Sequence, residues 1–233
     1  MLEGYSVQTV FSLLVSCMPM VAFLVILGRR AYLQDAMVCL MGICLLSFFH
    51  DILVSFPAIR RSWGLVADNV HMLVVFGLVL LICQTLIYRN SFRRVVPTIA
   101  IATASIFITY ILINGMNKRH AGFQVVIALL LLLAALVLLY QLMRYKQLQI
   151  LSHPLFYLAI GIFFFYFQFL IIEVGGRLLF GDTQDTDYYS WLLMLVTRVV
   201  EYLFFFIAAL MAPSYVNNGS SGNRRKSPYV SQY

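Results

Sequence analysis

The residues best able to do chemistry lie inside the last apolar stretch of the chain. Arg198 and Glu201 interrupt residues 190–211, which otherwise have the composition of a membrane helix. Ionised side chains are expensive in hydrocarbon, so they usually face a protein interior, a partner or water. A guanidinium and a carboxylate one turn apart on a helix can also interact with each other. We therefore take Arg198 and Glu201 as the centre of a candidate site.

The overall composition indicates that lipid surrounds most of the chain. Of its 233 residues, 62% are hydrophobic and only 11% are charged, whereas a soluble domain carries about 25% charged residues. The net charge is +7, but the basic residues stand in short clusters between apolar runs, a pattern typical of membrane topology signals. The sequence therefore excludes a soluble enzyme and indicates no nucleic-acid partner.

Seven runs are long and apolar enough to cross a bilayer, for which a helix needs about 20 residues. These runs are residues 10–28, 36–56, 71–88, 95–114, 121–143, 155–173 and 190–211, with an alternative, earlier start of the third near Gly64. Strands of a membrane barrel would instead alternate in polarity over about 10 residues. The fold class predicted is all-α, a polytopic transmembrane bundle of seven helices. The separators are short, so consecutive helices should be antiparallel neighbours.

The basic residues of the separators predict the orientation, because Lys and Arg accumulate on the cytoplasmic side. Five of them fall on one side of the predicted bundle. Ten fall on the other side, namely Arg29, Arg30, Arg89, Arg93, Arg94, Arg144, Lys146, Arg224, Arg225 and Lys226. We therefore expect the N-terminus outside and the C-terminus in the cytoplasm. Residues 1–213 form the predicted transmembrane domain, and the polar residues 214–233 form a disordered cytoplasmic tail.

With this orientation, polar residues from four predicted helices share one depth band in the outer half of the membrane. Charges at a common depth can compensate one another's loss of hydration. We expect Arg198 to pair with Asp51, Glu173 or Glu201. The candidate site, a ligand-binding or buried polar cluster, consists of His50, Asp51, His71, Glu173, Arg198 and Glu201.

Two interpretations of this cluster remain open. It can be a structural lock between helices, or it can line an outward-facing pocket with Tyr166, Trp191 and Tyr202 as aromatic walls. The planar guanidinium of an arginine suits an anionic group, and histidines would make such a site respond to pH. His50, Asp51 and His71 are admissible zinc ligands, but the chain contains no HxxxH or HExxH spacing. We predict no catalytic residue, no metal and no cofactor.

Seven helices with an outside N-terminus also occur in retinal proteins, but those need a Schiff-base lysine in the last helix. The lysines of this chain are Lys118, Lys146 and Lys226, none of them in a predicted helix. Retinal photochemistry is therefore excluded by the residue inventory.

Three short motifs resemble those of small, uncharacterised seven-helix membrane proteins of Bacteroidota. They open the third, sixth and seventh helices and read Asp68-Asn69-Val70-His71, His153-Pro154-Leu155-Phe156-Tyr157 and Tyr188-Tyr189-Ser190-Trp191. The likeness covers nearly the whole membrane region. It implies a bacterial inner-membrane protein and assigns no catalytic residue.

The pattern as a whole favours a membrane sensor or adaptor. Its outer polar pocket would receive a small ligand, a proton or a partner helix, and its cytoplasmic loops would act on a protein partner. The first alternative is a small transporter or channel subunit, which should show a polar path to both faces. An intramembrane metal-dependent hydrolase that uses His50, Asp51 and His71 is the third.

Overall fold

The computed structural model describes residues 7–86, 90–115, 121–145, 150–176 and 184–212. In these residues the chain forms α-helices, two short 3-10 turns and one π-helical segment at Ile171–Gly176, with no strand. The α-helices are α1 (Val7–Ser16), α2 (Met18–Gly28), α3 (Asp35–Ser55), α4 (Pro57–Leu86), α5 (Asn90–Asn114), α6 (Ala121–Tyr145), α7 (Pro154–Leu170) and α8 (Gln184–Met211). The predicted tail, residues 214–233, lies outside the described residues.

Seven helical spans are long and apolar enough to cross a membrane, which confirms the predicted class. The first span, Thr9–Gly28, combines α1 and α2. It is interrupted at Cys17, two residues before Pro19. Proline lacks a backbone N–H and its ring crowds the preceding turn, so an uninterrupted helix across Pro19 is unfavourable.

Three helices begin earlier than their apolar runs predicted. α4 begins at Pro57, so Arg60 and Arg61 form part of its first turns instead of a separator. α5 begins at Asn90, which places Pro97 inside the helix and not in its first turn. α8 begins at Gln184. Arginine and glutamine are good helix formers, so a helix can continue into the polar region where hydrophobicity alone no longer marks it.

Six spans form a closed ring, and one lies outside it. α2 packs on α3, α3 on α4, α4 on α6, α6 on α7, α7 on α8, and α8 again on α2. α5 packs on α4 from outside the ring and exposes most of its large apolar side chains, including Ile101, Leu112 and Ile113. In this order, α2 stands between α3 and α8, so any direct link between those two helices must be made by long side chains.

The two ends of the ring differ in character. We name them the Asp68 end, where α3 ends and α4 begins, and the Arg29 end, where α2 and α8 end. Towards the Arg29 end the buried side chains of the ring helices are largely apolar, including Met37, Leu40, Val79, Leu138, Leu155, Leu158, Phe205, Ala208 and Ala209. There the Arg29 guanidinium donates from Nη2 to the Ala212 carbonyl oxygen at 3.0 Å, which satisfies a backbone acceptor at the end of α8.

α7 and α8 approach each other most closely at Gly161. A Cβ atom added there would lie 3.0 Å from Cβ of Phe204, 3.3 Å from Cε1 of Phe205 and 3.4 Å from the carbonyl oxygen of Glu201. The Cβ of Phe204 and the carbonyl oxygen of Glu201 belong to the backbone or are bonded directly to it, so they cannot move away without shifting the helix. The glycine therefore sets the distance between the two helices and fixes the position of the Glu201 backbone.

Replacing Gly161 by valine should force α7 and α8 apart. Overpacking a well-filled interior costs about 1–3 kcal/mol, so we expect Gly161→Val to lower the thermal unfolding midpoint of the purified protein in detergent. Gly77→Ala is the matched control, because a Cβ at that helical glycine meets nothing within 4 Å. Equal midpoints for the two variants would contradict the close approach.

Candidate functional site

The centre of the site is the carboxylate of Asp51 on α3, a residue that is only 3% exposed. Its Oδ1 accepts hydrogen bonds from Arg198 Nη1 and from His50 Nδ1, the latter at 3.0 Å. Its Oδ2 accepts the hydroxyl proton of Tyr202 at 2.6 Å. Three donors therefore replace the water that this carboxylate would bind outside the protein, which is what allows it to stay inside a membrane bundle.

The Asp51–Arg198 ion pair crosses the interior of the ring. Arg198 lies on α8, and α2 separates that helix from α3 in the ring. Tyr202 follows Arg198 by four residues on the same helix, so both side chains leave α8 on one face and reach the same carboxylate. Of the three partners predicted for Arg198, the described residues confirm Asp51.

His50 connects Asp51 to a second carboxylate. Its Nε2 lies 2.8 Å from Oδ1 of Asp68 on α4, while its Nδ1 faces Asp51. A carboxylate can only accept hydrogen bonds, so both ring nitrogens must carry a proton unless one of the two carboxyl groups holds it. One exchangeable proton is thus shared along Asp68, His50 and Asp51. The Asp68 side chain is 43% exposed, so it connects these hydrogen bonds to the surroundings of the bundle.

His71 holds the His50 ring from the side. The two imidazole rings stack with centroids 4.2 Å apart and an angle of 21° between their planes. Nε2 of His71 lies 3.2 Å from the Ser47 hydroxyl, which links α4 back to α3. Because both ring nitrogens are hydrogen-bonded and one ring face is stacked, the orientation of the His50 imidazole is fixed. We call the assembly of Ser47, His50, Asp51, Asp68, His71, Arg198 and Tyr202 the polar cluster.

A further polar contact lies next to the cluster, between α4 and α6. The buried Gln124 donates from Nε2 to Oδ1 of the buried Asn69 at 3.4 Å. Nδ2 of Asn69 is buried without a hydrogen-bond partner. Asn69 follows Asp68 in sequence, so the polar character of this level of the bundle extends from the interior to the α4–α6 contact.

The six residues predicted from sequence divide into three groups. Hydrogen bonds, an ion pair and ring stacking bring His50, Asp51, His71 and Arg198 together. Glu201 is 8% exposed and interacts electrostatically with Arg198 and Asp51, but it makes no hydrogen bond to any described residue. Glu173 is buried in the π-helical segment. Glu173 has a partner of its own, and its membership of the site stays a prediction.

Three members of the polar cluster were not among those six residues: Asp68, Ser47 and Tyr202. Their spacing carried a signal that could have found them. Ser47 precedes His50 by three residues, Asp68 precedes His71 by three, and Tyr202 follows Arg198 by four. Residues three or four apart share one face of a helix, so each belongs to a face that already carried a candidate.

Neither a metal-ligand arrangement nor a similarity to known proteins assigns a function to this chain. Among the residues that the structure describes, no three His, Cys, Asp or Glu side chains converge as metal ligands would. No protein-family model, curated protein or solved structure matches this chain. The geometry of the polar cluster is therefore the feature of this chain that points to a function.

Replacing Arg198 by alanine should be strongly destabilising, since it leaves the Asp51 carboxylate buried without its cation. Breaking a buried ion pair from one side costs about 3–5 kcal/mol, whereas removing both charges can be nearly neutral. We expect Arg198→Ala to reduce folded yield sharply and Asp51→Asn combined with Arg198→Gln to recover part of it. Lys226→Ala, in the predicted tail, is the control and should leave the yield unchanged. A silent Arg198→Ala would refute the central role of the pair.

Removing the Tyr202 hydroxyl tests the second donor to Asp51. A hydrogen bond to a charged group contributes about 1.5–3 kcal/mol, so Tyr202→Phe should lower the free energy of unfolding in detergent by an amount in that range. Tyr140→Phe is the matched control, because Tyr140 lies exposed on α6. The same loss in both variants would show that the hydroxyl of Tyr202 does not stabilise Asp51.

Proposed function

We propose that this membrane protein is a sensor or adaptor of a bacterial inner membrane. The polar cluster receives the stimulus at the Asp68 end, on the outer side, and α8 transmits the change to a protein partner at the Arg29 end, in the cytoplasm. The observation that carries the proposal is the Asp51–Arg198 ion pair, because it joins two helices that the ring otherwise keeps apart.

The exposure of the cluster supports a role in receiving a signal. Asp68 is 43% exposed and the Arg198 side chain 30%, although Asp51 between them is almost fully buried. A purely structural lock requires only that its charges pair with one another and gives no role to their exposure. Here one carboxylate and part of the guanidinium remain accessible, so a ligand or a proton can reach the groups that bond Asp51.

The course of α8 supports transmission along this helix. The helix has 28 residues, which at about 1.5 Å per residue gives a length of about 42 Å. It carries Arg198 and Tyr202 in the polar cluster, and the Ala212 carbonyl at its far end is bound by Arg29 of the first span. A movement of α8 that follows a change at Asp51 would therefore alter a contact at the opposite face.

A small transporter or channel subunit is the second candidate, and the interruption of the first span at Cys17 is the observation in its favour. Transporters often bind their substrates at interrupted helices near the middle of the membrane. However, Cys17 is exposed on the outside of the bundle, and the ring interior towards the Arg29 end is filled by apolar side chains. A substrate would find no polar path there, so the sensor proposal is the stronger one.

The two candidates differ in what the Asp51→Asn variant should do in liposomes. For a sensor, loss of the ion pair should speed hydrogen–deuterium exchange of the backbone near Ala208 and Ala209, far from the substitution. Thr197→Val is the matched control, since Thr197 is buried beside Arg198 but bonds only the Leu193 carbonyl of its own helix. It should leave that exchange unchanged.

Ion flux measured in the same liposomes distinguishes a sensor from a transporter. The sensor proposal expects wild-type protein to conduct no more than protein-free vesicles. A flux of protons or sodium ions that Asp51→Asn abolishes, with unchanged exchange at the far end of α8, would overturn the sensor proposal in favour of transport.

A further inference from the structure

Glu201 is the buried ionisable group that the polar cluster leaves without a hydrogen bond. It lies on α8 one turn beyond Arg198, is 8% exposed and makes no hydrogen bond to a described residue. Its electrostatic neighbours include Arg198 on its own helix, Cys44 on α3 and Tyr166 on α7. A carboxylate buried without a donor is far less stable than a carboxylic acid in the same place. The burial of Glu201 therefore favours its carboxylic acid form.

A count of charges leads to the same protonation state. Arg198 compensates Asp51, and the proton on His50 compensates Asp68. An ionised Glu201 would add one negative charge with no partner in the ring interior. With its proton in place, the whole set is neutral, as a low-dielectric interior requires.

Glu201 and Asp51 can compete for the guanidinium of Arg198. Arg198 and Glu201 are three residues apart and face the same interior, so Arg198 can turn to Glu201 without leaving its own helix. The tight contact at Gly161 holds the Glu201 backbone in place against α7. Arg198 bonded to Asp51 joins α8 to α3, whereas Arg198 bonded to Glu201 would join α8 only to itself.

We propose that the proton is the ligand of this site, bound at Glu201, and that its release lets Glu201 draw Arg198 away from Asp51. The inference rests on the sensor function proposed above and names its stimulus. When the pH rises, the Glu201 carboxylic acid loses its proton and becomes a carboxylate that competes for the guanidinium. The contact between α3 and α8 then weakens, and it re-forms when the proton returns.

The proton leaves to water, which has access to this site at the Arg198 side chain, 30% of which is exposed. The O–H bond of the Glu201 carboxylic acid breaks and an O–H bond to a water molecule forms, while His50, Asp51 and Asp68 keep the hydrogen bonds that they already make. No electron is transferred, and Arg198 stays protonated throughout. The net change is one proton lost from the protein to the water at the Asp68 end.

The other charged and titratable groups near Glu201 do not supply an alternative acceptor for Arg198. α3 contributes Cys44, His50 and Asp51, α4 contributes Asp68 and His71, and α7 contributes Tyr166. On α8 itself, Tyr202 is already bonded to Asp51. α1 and α2, which also pack on α8, have no ionisable side chain, and the π-helical segment contributes Glu173, which has a partner of its own. Among the described carboxyl groups around Arg198, Glu201 is the one on α8 itself, so it can take the guanidinium while α8 moves away from α3.

The proton itself fits the site better than other small ligands. An anion would face Asp51, Asp68 and Glu201 with a single guanidinium that is already engaged. A metal cation needs several converging ligands, and the described residues offer no such group. A proton needs only one carboxylate and a path to water.

Two native cysteines allow the movement to be measured in the full chain. Cys44 on α3 and Cys83 on α4 are both buried, but only Cys44 neighbours Glu201. In two proteins that keep one of these cysteines each, with the other three changed to serine, the rate of modification by dithiodipyridine is measured from about pH 6 to about pH 9. Weakening of the α3–α8 contact should raise the ratio of the Cys44 rate to the Cys83 rate severalfold as the pH increases.

Substitutions of the two competing carboxyl groups should act in opposite directions. Glu201→Gln cannot release a proton, so the ratio should stay low at every pH. Asp51→Asn offers Arg198 no carboxylate on α3, so the ratio should be high at every pH. The negative charge of an ionised Glu201 would by itself slow modification of Cys44, so a rise in the ratio reports movement and not the charge.

Four outcomes decide between this proposal and the proposed sensor function. A low flat ratio in Glu201→Gln and a high flat ratio in Asp51→Asn, with a rise in the wild type, support it. A flat wild-type ratio, or the same pH dependence in Glu201→Gln and wild type, overturns it. If the ratio behaves as expected while the backbone exchange at the far end of α8 never changes, the proton site stands and the sensor function fails. If that exchange responds to Asp51→Asn while the wild-type ratio is flat, the sensor function stands and the proton is not its ligand.

Discussion

The structure of this bundle depends on the cost of placing charge in a medium that cannot hydrate it. Asp51 and Arg198 are each unfavourable alone in the ring interior, and together they are tolerable only because Tyr202 and His50 supply further hydrogen bonds. Such a pair contributes little net stability compared with apolar side chains of the same size. Its consequence is specificity, because few arrangements of the helices bring all four groups together.

The arrangement of the helices in the ring allows a change at Asp51 or Arg198 to affect the packing of whole helices. α3 and α8 are separated by α2, and the ion pair, together with the Tyr202–Asp51 hydrogen bond, connects these two helices across the interior. Any event that changes the charge of Asp51 or the partner of Arg198 changes how these helices are joined. The contact at Gly161 fixes α8 against α7 on its other side. α8 is thus held firmly by one neighbour and conditionally by another, which is the physical basis for both the sensor proposal and the proton-binding role of Glu201.

Much of the fold could be predicted because the membrane imposes simple rules on a sequence. A run of about 20 apolar residues has almost no alternative to a spanning helix, and all seven runs are spans in the structure. The helix ends were less predictable. Arg60 and Arg61 lie within α4 and Pro97 within α5, because a helix continues beyond the apolar region for as long as its backbone bonds are favourable.

The candidate site was predictable in part for the same reason. Charge in an apolar run must find a partner, so His50, Asp51, His71 and Arg198 could be singled out and Asp51 named as one of three possible partners. Asp68 was harder to assign, because a carboxylate near the end of a span can be satisfied by water and its sequence gives no sign that it bonds His50. Glu201 illustrates the opposite case, since its position one turn from Arg198 suggested a pair that the structure does not form.

By itself, the sequence determined that the chain is a seven-helix membrane protein and that its buried charges must be gathered near one depth. Hydrophobic length and the cost of isolated charge are local properties, and a sequence displays them directly. Only the tertiary structure decided that α5 lies outside a ring of six spans and that Arg198 bonds Asp51 instead of Glu201. Those choices depend on which helix faces are adjacent and on whether a side chain can reach across the interior, and both follow from the packing of all the helices at once.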